Sequence, residues 1–564
     1  MFIRSKRFSF LLLFILAITS FAIFWPALGH EFLRNWDDTK YVVENPIIRG
    51  LTIENLTTAF KTSVLWNYAP IHMVSYMLDY EIWGLRAFGF IFTNILLHAA
   101  NGILFYLLLR WLSGEKVWIL FASLIFLLHP VQVESVVWVS QRKNVLAMFF
   151  FLIAFYLYTR YREREEEVDI RLYFLSLFAF TLSLLSKSIT VVFPLVLLVF
   201  DLCYRKKYDL KTLILDKIPF LLIALILGFV AIETQSADYQ GGRTSYHGGN
   251  LYTTLLTMLP VLVRYLTMVI WPANLSAYYN PPIKTHIDSE VIWAAFLLVL
   301  LCLMGVMLYR RRRQMFFWFT FFFIGLIPVS QIIPIVTLMN DRYLYFPMLG
   351  AAAFLSMTIL REVTWTELFS SKRTIPAALF SILMIGACSA ATLHRIPVWQ
   401  NTFTLWSDAV KKAPDVAVTH EGLGEGLLGQ GRIDEAITEF KISLNFRPSI
   451  MSKDIDSSTR HAMAITYNDL GAAYGMKGMT DAAIEHFTIA IQLNPRHDKA
   501  YFNLGNALVH KGLMVQALQC FEMAVQLNPH NPQFYANLMK TREFIKSGNF
   551  QNPRGKADGG ISGK

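Results

Sequence analysis

The chain has 564 residues, 55% of them hydrophobic and only 16% charged, with a mean hydropathy of +0.42. Soluble chains carry about 25% charge, so a string of soluble domains is excluded; 45 Phe, 24 Tyr and 13 Trp add the aromatic surface of lipid-facing and interfacial segments. The net charge of +11 would suggest nucleic acid in a soluble protein, but here it reflects Lys and Arg gathering on the cytoplasmic side of membrane spans, and no nucleic-acid partner is expected.

Taken in chain order, apolar runs lie near 8–28, 88–111, 117–137, 143–160, 171–186, 188–203, 217–234, 251–271, 289–309, 315–334, 342–360 and 375–394. A spanning helix needs about 20 residues, which makes the pair within 171–204 tight. The first run follows Arg4, Lys6 and Arg7. It reads as a retained signal anchor, being longer than a cleaved apolar region and lacking a small-x-small site after it. Basic clusters follow at Arg110/Lys116, Arg160/Arg162/Arg164/Arg171, Arg205/Lys206/Lys207/Lys211/Lys217, Arg310 to Arg313 and Arg361/Lys372/Arg373.

All of these clusters fall on the cytoplasmic side if 251–271 does not cross. That run holds Pro260 and Arg264, and an ionised Arg at mid-bilayer costs about 2.5–3.5 kcal/mol on insertion scales. The expectation is about eleven crossings, with 251–271 a re-entrant or interfacial helix on the outer side. The loops 29–87, 138–143, 234–288 and 335–342 then lie outside, together with everything after the last span. The cysteines Cys203, Cys302, Cys388 and Cys520 are scattered, with neither a disulfide framework nor metal spacing.

After Trp399 the chain turns polar. Residues 465–498 and 499–532 repeat at a period of 34: Leu470-Gly471 matches Leu504-Gly505, Ala483 matches Ala517, Phe487 matches Phe521, and Asn494-Pro495 matches Asn528-Pro529. A weaker copy at about 418–451 carries Leu423-Gly424, Ala436, Phe440 and Pro448, and Trp406 with Pro414 reads as the second helix of a half-repeat before it. The period and the small and aromatic positions are those of the tetratricopeptide repeat. The predicted organisation is all-α: a polytopic membrane domain over 1–395 with a first outer loop at 29–87, a repeat solenoid over 396–545, and a Gly-rich, disordered tail over 546–564.

The outer face holds the polar groups that suggest chemistry. Asn35-Trp36-Asp37-Asp38 places two adjacent carboxylates just past the first span, where mutual repulsion tunes one toward a general base; the plainer reading makes Asp38 a helix cap. His129 and Glu134 lie within the apolar run 117–137, followed by Arg142 and Lys143. Ionisable groups at such depth are functional candidates because their insertion is unfavourable. Lys187, Arg243 in a Gly-rich loop, and Asp341-Arg342-Tyr343 complete the set. No phosphate loop, dinucleotide fingerprint, HExxH or GxSxG motif accompanies them.

The order Trp36-Asp37-Asp38, Asn45-Pro46, Tyr68-Ala69-Pro70, Asn94 to His98, His129-Pro130-Val131-Gln132-Val133-Glu134-Ser135-Val136-Val137-Trp138, Arg142-Lys143 and Asp341-Arg342-Tyr343-Leu344-Tyr345 resembles the transmembrane and tetratricopeptide-repeat-containing O-mannosyltransferases and their bacterial relatives. The resemblance covers about 30–395 and most of the repeats. It implies a GT-C glycosyltransferase fold and an inverting transfer of a sugar, typically mannose, from a polyprenyl-phosphate donor to a Ser or Thr hydroxyl on the extracytoplasmic side. It implies a catalytic base at Asp37 or Asp38, and substrate binding by His129, Glu134, Arg142, Lys143, Lys187, Arg243, Asp341, Arg342 and Tyr343, without a required metal. The lipid-linked sugar and a protein acceptor held by the repeats are the implied partners, and a bacterial inner membrane with periplasmic repeats is the implied setting. A polytopic transporter and a non-catalytic scaffold are the rival readings; the clustering of acids on one face, without two similar halves, disfavours the transporter.

Overall fold

The computed structural model describes residues 2–34, 36–162, 169–204, 210–236, 246–365, 367–368, 372, 374–450, 456–529 and 531–547. Asn35, Arg243 and the tail beyond Ser547 lie outside the described residues. The protein forms two compact units, Met1–Asp408 and Ala409–Lys564.

The first unit is a helical bundle. After α1 (Phe2–Phe24) the first long loop carries α2 (Ile53–Lys61) and α3 (Pro70–Trp83). Thr52 caps α2 by accepting from Asn55 N, and Pro70 opens α3 where no N–H is needed. Next come α4 (Ala87–Ser113) and α5 (Val117–Leu128), then the short α6 (Val133–Val137). The chain bends by 48° between them, because Pro130 cannot donate to the preceding turn. The run 117–137 is therefore two pieces rather than one straight span.

The bundle continues with α7 (Arg142–Tyr161), α8 (Ile170–Ser186), α9 (Phe193–Tyr204), α10 (Leu210–Leu215), α11 (Ile218–Ser236), α12 (Leu251–Ile270), α13 (Ser289–Arg311), α14 (Arg313–Leu326), α15 (Pro347–Leu360) and α16 (Ile375–Arg395). Among the described residues, seven helices are long and apolar enough to cross a membrane, or eight if the bent pair counts as one span. Four shorter apolar helices accompany them, among them 170–186 and 188–204, the pair that the sequence makes tight. The fold is that of a multi-pass membrane protein.

Close helix approach depends on small residues. A Cβ on Gly350 would meet Trp318 O and Phe322 N at 2.6 Å, so α15 lies directly on the α14 backbone. The helix α12 is long enough to cross, yet both its ends bond to the segment that links α14 to α15 or to the α5–α6 bend. At one end His247 bonds Ile335 O at 2.9 Å. At the other, Asn340 N donates to the Tyr265 hydroxyl at 3.3 Å and His129 Nε2 bonds Val269 O at 3.0 Å.

Helix α17 (Thr402–Lys412) runs into the second unit, which stacks α18 (Ala417–Gly429), α19 (Ile433–Asn445), α20 (Ser457–Met476), α21 (Thr480–Leu493), α22 (Asp498–His510), α23 (Met514–Leu527) and α24 (Pro532–Lys546). Each of the three pairs from α18 to α23 is closed by one contact. A Cβ on Gly424, Gly471 or Gly505 would strike Phe440, Phe487 or Phe521 at 2.6, 2.8 or 2.6 Å. The 34-residue period is thus the spacing of a glycine on one helix and the ring that fills its place from the next.

Candidate functional site

The two acidic residues after the first span do different jobs. Asp38 is fully buried. Its Oδ2 accepts from Leu33 N at 2.9 Å, and its Oδ1 accepts from Ser140 N at 3.0 Å and from the Ser140 hydroxyl. It therefore pins the first long loop to the turn between α6 and α7, and it does not cap the following turn through its side chain. Burial pushes its carboxyl up to about 6, against the pull of these hydrogen bonds. Asp37 retains 30% side-chain exposure and lies 3.9 Å from Lys143 Nζ.

Three cations gather beside Asp37. Lys143 Nζ sits 4.7 Å over the Tyr41 ring and 3.5 Å from its hydroxyl. Lys187 donates to Asn144 Oδ1. Arg342 donates from its backbone N and from Nη1 to Glu134, at 2.8 and 2.6 Å, and lies 5.6 Å over the Trp138 ring. Lys187 lies within charge–charge range of Lys143, Arg342, Glu134 and Asp37. Asn144 is the hub: its Nδ2 donates to Ser135 Oγ at 3.0 Å, Gln141 Oε1 at 3.3 Å and Arg342 O at 3.4 Å. The α6–α7 turn thus brings Glu134, Asn144 and Lys143 to the loop that carries Asp37.

Other residues expected at the site are engaged elsewhere. Arg142 is fully buried, donating to Asp79 Oδ2 at 2.5 Å, to Phe90 O at 2.6 Å and to Asn94 Oδ1; it locks α3, α4 and α7 together. His129 bonds Val269 O and accepts from Val131 N at 3.4 Å, which fixes α12 to the α5–α6 bend. Asp341 accepts from the Tyr279 hydroxyl and lies 3.6 Å from Arg395, while the Tyr343 hydroxyl bonds Thr337 at 2.6 Å. Arg243 lies outside the described residues.

Sequence reasoning gave His72 only a minor place, on an interfacial helix with Asp79, and passed over other neighbours. His72 is fully buried, and neither of its ring nitrogens has a partner. Burial first, then the charges of Lys143, Arg142 and Lys187, holds it well below the usual imidazole range. Asn144 and Ser140 carry no motif. Trp36, Trp138, Trp399 and Trp406 form a stack: Trp36 lies 4.3 Å from Trp138, 6.2 Å from Trp399 and 5.2 Å from Trp406. Only the concentration of Trp beside the acidic pair and just past the last span could have signalled it. Among the described residues no group of three or more His, Cys, Asp or Glu side chains could hold a metal ion.

The tetratricopeptide-repeat family model matches residues 498–531. The protein O-mannosyl-transferase F38B6.6 of Caenorhabditis elegans is 23% identical over 461 residues, covering 78% of this chain and 63% of that protein. The human protein O-mannosyl-transferase TMTC3 is 21% identical over 529 residues, covering 86% of this chain and 56% of that protein. Over most of its own length this chain is similar to these protein O-mannosyl-transferases. It spans about six-tenths of the length of these relatives. The solved structure of YrrB, a tetratricopeptide-repeat protein with an unusual peptide-binding site, is 15% identical and covers 32% of this chain and 82% of its own, at a TM-score of 0.21.

Proposed function

We propose that the protein is an integral membrane glycosyltransferase that moves a sugar, mannose by the reading of its relatives, from a polyprenyl-phosphate donor to a hydroxyl acceptor, a Ser or Thr of a protein, on the extracytoplasmic face. The observation that carries this reading is the meeting of one accessible carboxylate, Asp37, with Lys143, Lys187 and Arg342. A general base beside a cationic cluster is what an alcohol attacking a glycosyl phosphate requires.

In this reading the acceptor hydroxyl loses its proton to Asp37 as its oxygen attacks the anomeric carbon from the face opposite the phosphate. The bond from that carbon to the phosphate oxygen breaks, its electron pair stays with the leaving polyprenyl phosphate, and the sugar is transferred with inversion. Lys143, Lys187 and Arg342 neutralise the charge that grows on the phosphate, and Glu134 orients Arg342. Asp38 holds the turn that presents Asp37. The membrane domain over 1–395 supplies the chemistry, and the repeats over 396–545 present the acceptor, giving affinity away from the reacting centre.

The bonds at both ends of α12 support an interfacial course for that helix, and with it the orientation that keeps the basic clusters cytoplasmic, in a bacterial inner membrane with the repeats in the periplasm. The test uses membranes holding the full chain, polyprenyl-phosphate mannose and a Ser/Thr-rich peptide. Transfer should occur with the wild type and fail with Asp37→Asn; no transfer by the wild type overturns the transferase reading, and full transfer by Asp37→Asn overturns Asp37 as its base. A reporter fused after Trp399 should lie outside the cytoplasm.

A further inference from the structure

The segment between the last bundle helix and the first repeat is built into the site. Glu31 N donates to Gln400 O at 2.9 Å and the Thr402 hydroxyl donates to Arg34 O at 3.2 Å, so residues 400–402 run along the strand of loop that leads into the acidic turn. Trp36, the residue before Asp37, is half-buried and lies among the rings of Trp138, Trp399 and Trp406. Its plane is 8° from that of Trp399. Trp138 and Trp399 also meet each other at 5.6 Å, and each carries a cation: Arg342 lies 5.6 Å over Trp138, and Arg395 lies 5.9 Å over Trp399 while donating to Asp408 at 2.7 Å.

The acidic turn is thus held on two sides. Asp38 ties it to Ser140 within the bundle, and Trp36 ties it to Trp399 and Trp406, which follow the last apolar helix. The first tie fixes the backbone of the turn. The second fixes the direction from which Asp37 leaves it, because the indole of the preceding residue can rotate only with its neighbours. A base displaced by about 1 Å costs about a hundredfold in rate, so the second tie bears on turnover rather than on donor binding.

We propose that Trp406, acting with Trp399 through Trp36, is a positioning residue for Asp37, so that the helix which leads into the repeats forms part of the transfer site rather than a tether. This rests on the transferase reading above. Trp406 meets Trp36 as a tilted ring, at 44° between planes. Its loss should lower kcat, leave the KM for the donor unchanged, and be repaired by another aromatic ring.

The test measures polyprenyl-phosphate release from polyprenyl-phosphate mannose by membranes containing the full chain, comparing Trp406→Ala, Trp406→Leu and Trp406→Phe with Asp37→Asn. The expected result is about a tenfold or greater fall in kcat for Trp406→Ala and Trp406→Leu, with donor KM within about twofold of wild type, and recovery of most of the loss in Trp406→Phe. Trp406→Leu keeps an apolar core contact without a ring, and decides the matter if the alanine variant does not accumulate. If Asp37→Asn is inactive while Trp406→Leu turns over like wild type, the positioning role is overturned and the transferase reading stands. If Asp37→Asn itself turns over like wild type, Asp37 is not the base and the positioning role falls with it, whereas no release by the wild type overturns the transferase reading.

Discussion

Adjacent carboxylates invite a symmetric treatment, and Asp37 and Asp38 show why it misleads. Asp38 accepts three hydrogen bonds in a fully buried setting, whereas Asp37 remains reachable and faces a lysine. Asp37→Asn should lower transfer by about 10²–10⁴-fold, the usual contribution of a general base, with no change in the unfolding midpoint in detergent. Asp38→Asn should lower that midpoint as well, since it turns an amide N–H toward a donor and leaves a buried group unsatisfied, at about 1–3 kcal/mol. The pH dependence follows from the carboxyl raised to about 6. The charged and titratable groups that meet it are Asp37 on its own turn, Tyr76 on α3 and Lys143 on α7. Below about pH 6 Asp38 takes a proton and loses acceptor capacity, so transfer should fall on the acid side. The folded state binds that proton more readily than the unfolded chain does, so this group's contribution to stability falls as pH rises from about 4 to about 6, while activity rises. A rate profile and a melting series over the same buffers check both signs.

At the scale of elements, the bundle is held by polar locks in an apolar frame. Arg142 joins α7 to Asp79 of α3 and Asn94 of α4, and both partners of the ion pair are buried. Breaking it one-sidedly with Asp79→Asn strands a charge and should cost about 3–5 kcal/mol, while replacing both partners by apolar residues of similar volume should recover much of the loss. Thermal unfolding of the two variants in detergent distinguishes these outcomes. The role of Arg142 could not be read from its position after a short outer turn, because a basic residue at a span's mouth is normally free to meet a lipid phosphate. Only the folding of α3 back against α4 and α7 supplies the carboxylate that occupies it.

At the scale of the whole molecule, the two halves were legible to different depths. The repeats are written as a period, and the Gly505–Phe521 contact that underlies it recurs in each pair. Gly505→Ala should therefore destabilise the second unit by about 1–3 kcal/mol through overpacking, and limited proteolysis should cut the repeats sooner while leaving the bundle pattern unchanged. In the bundle, apolar runs placed most of the long helices. The break at Pro130 was visible as a residue but not as a consequence, since a proline ends one helix without saying where the next will point. Asp37, Lys143, Lys187 and Arg342 were all candidates in the sequence. Asn144 and the tryptophan stack were not, because an amide and a ring acquire a role here only from what folding sets beside them.

Asn144 has one more consequence. Lys187 is bonded to an amide and not to a carboxylate, and it feels the like charges of Lys143 and Arg342 ahead of the opposite charges of Glu134 and Asp37. The amine is held at its post by an amide rather than by a counter-charge. An arriving anion completes a circuit that the protein leaves open. Asn144→Asp would close it from within, so the variant should raise the donor KM and soften its dependence on salt, at a position that touches no substrate.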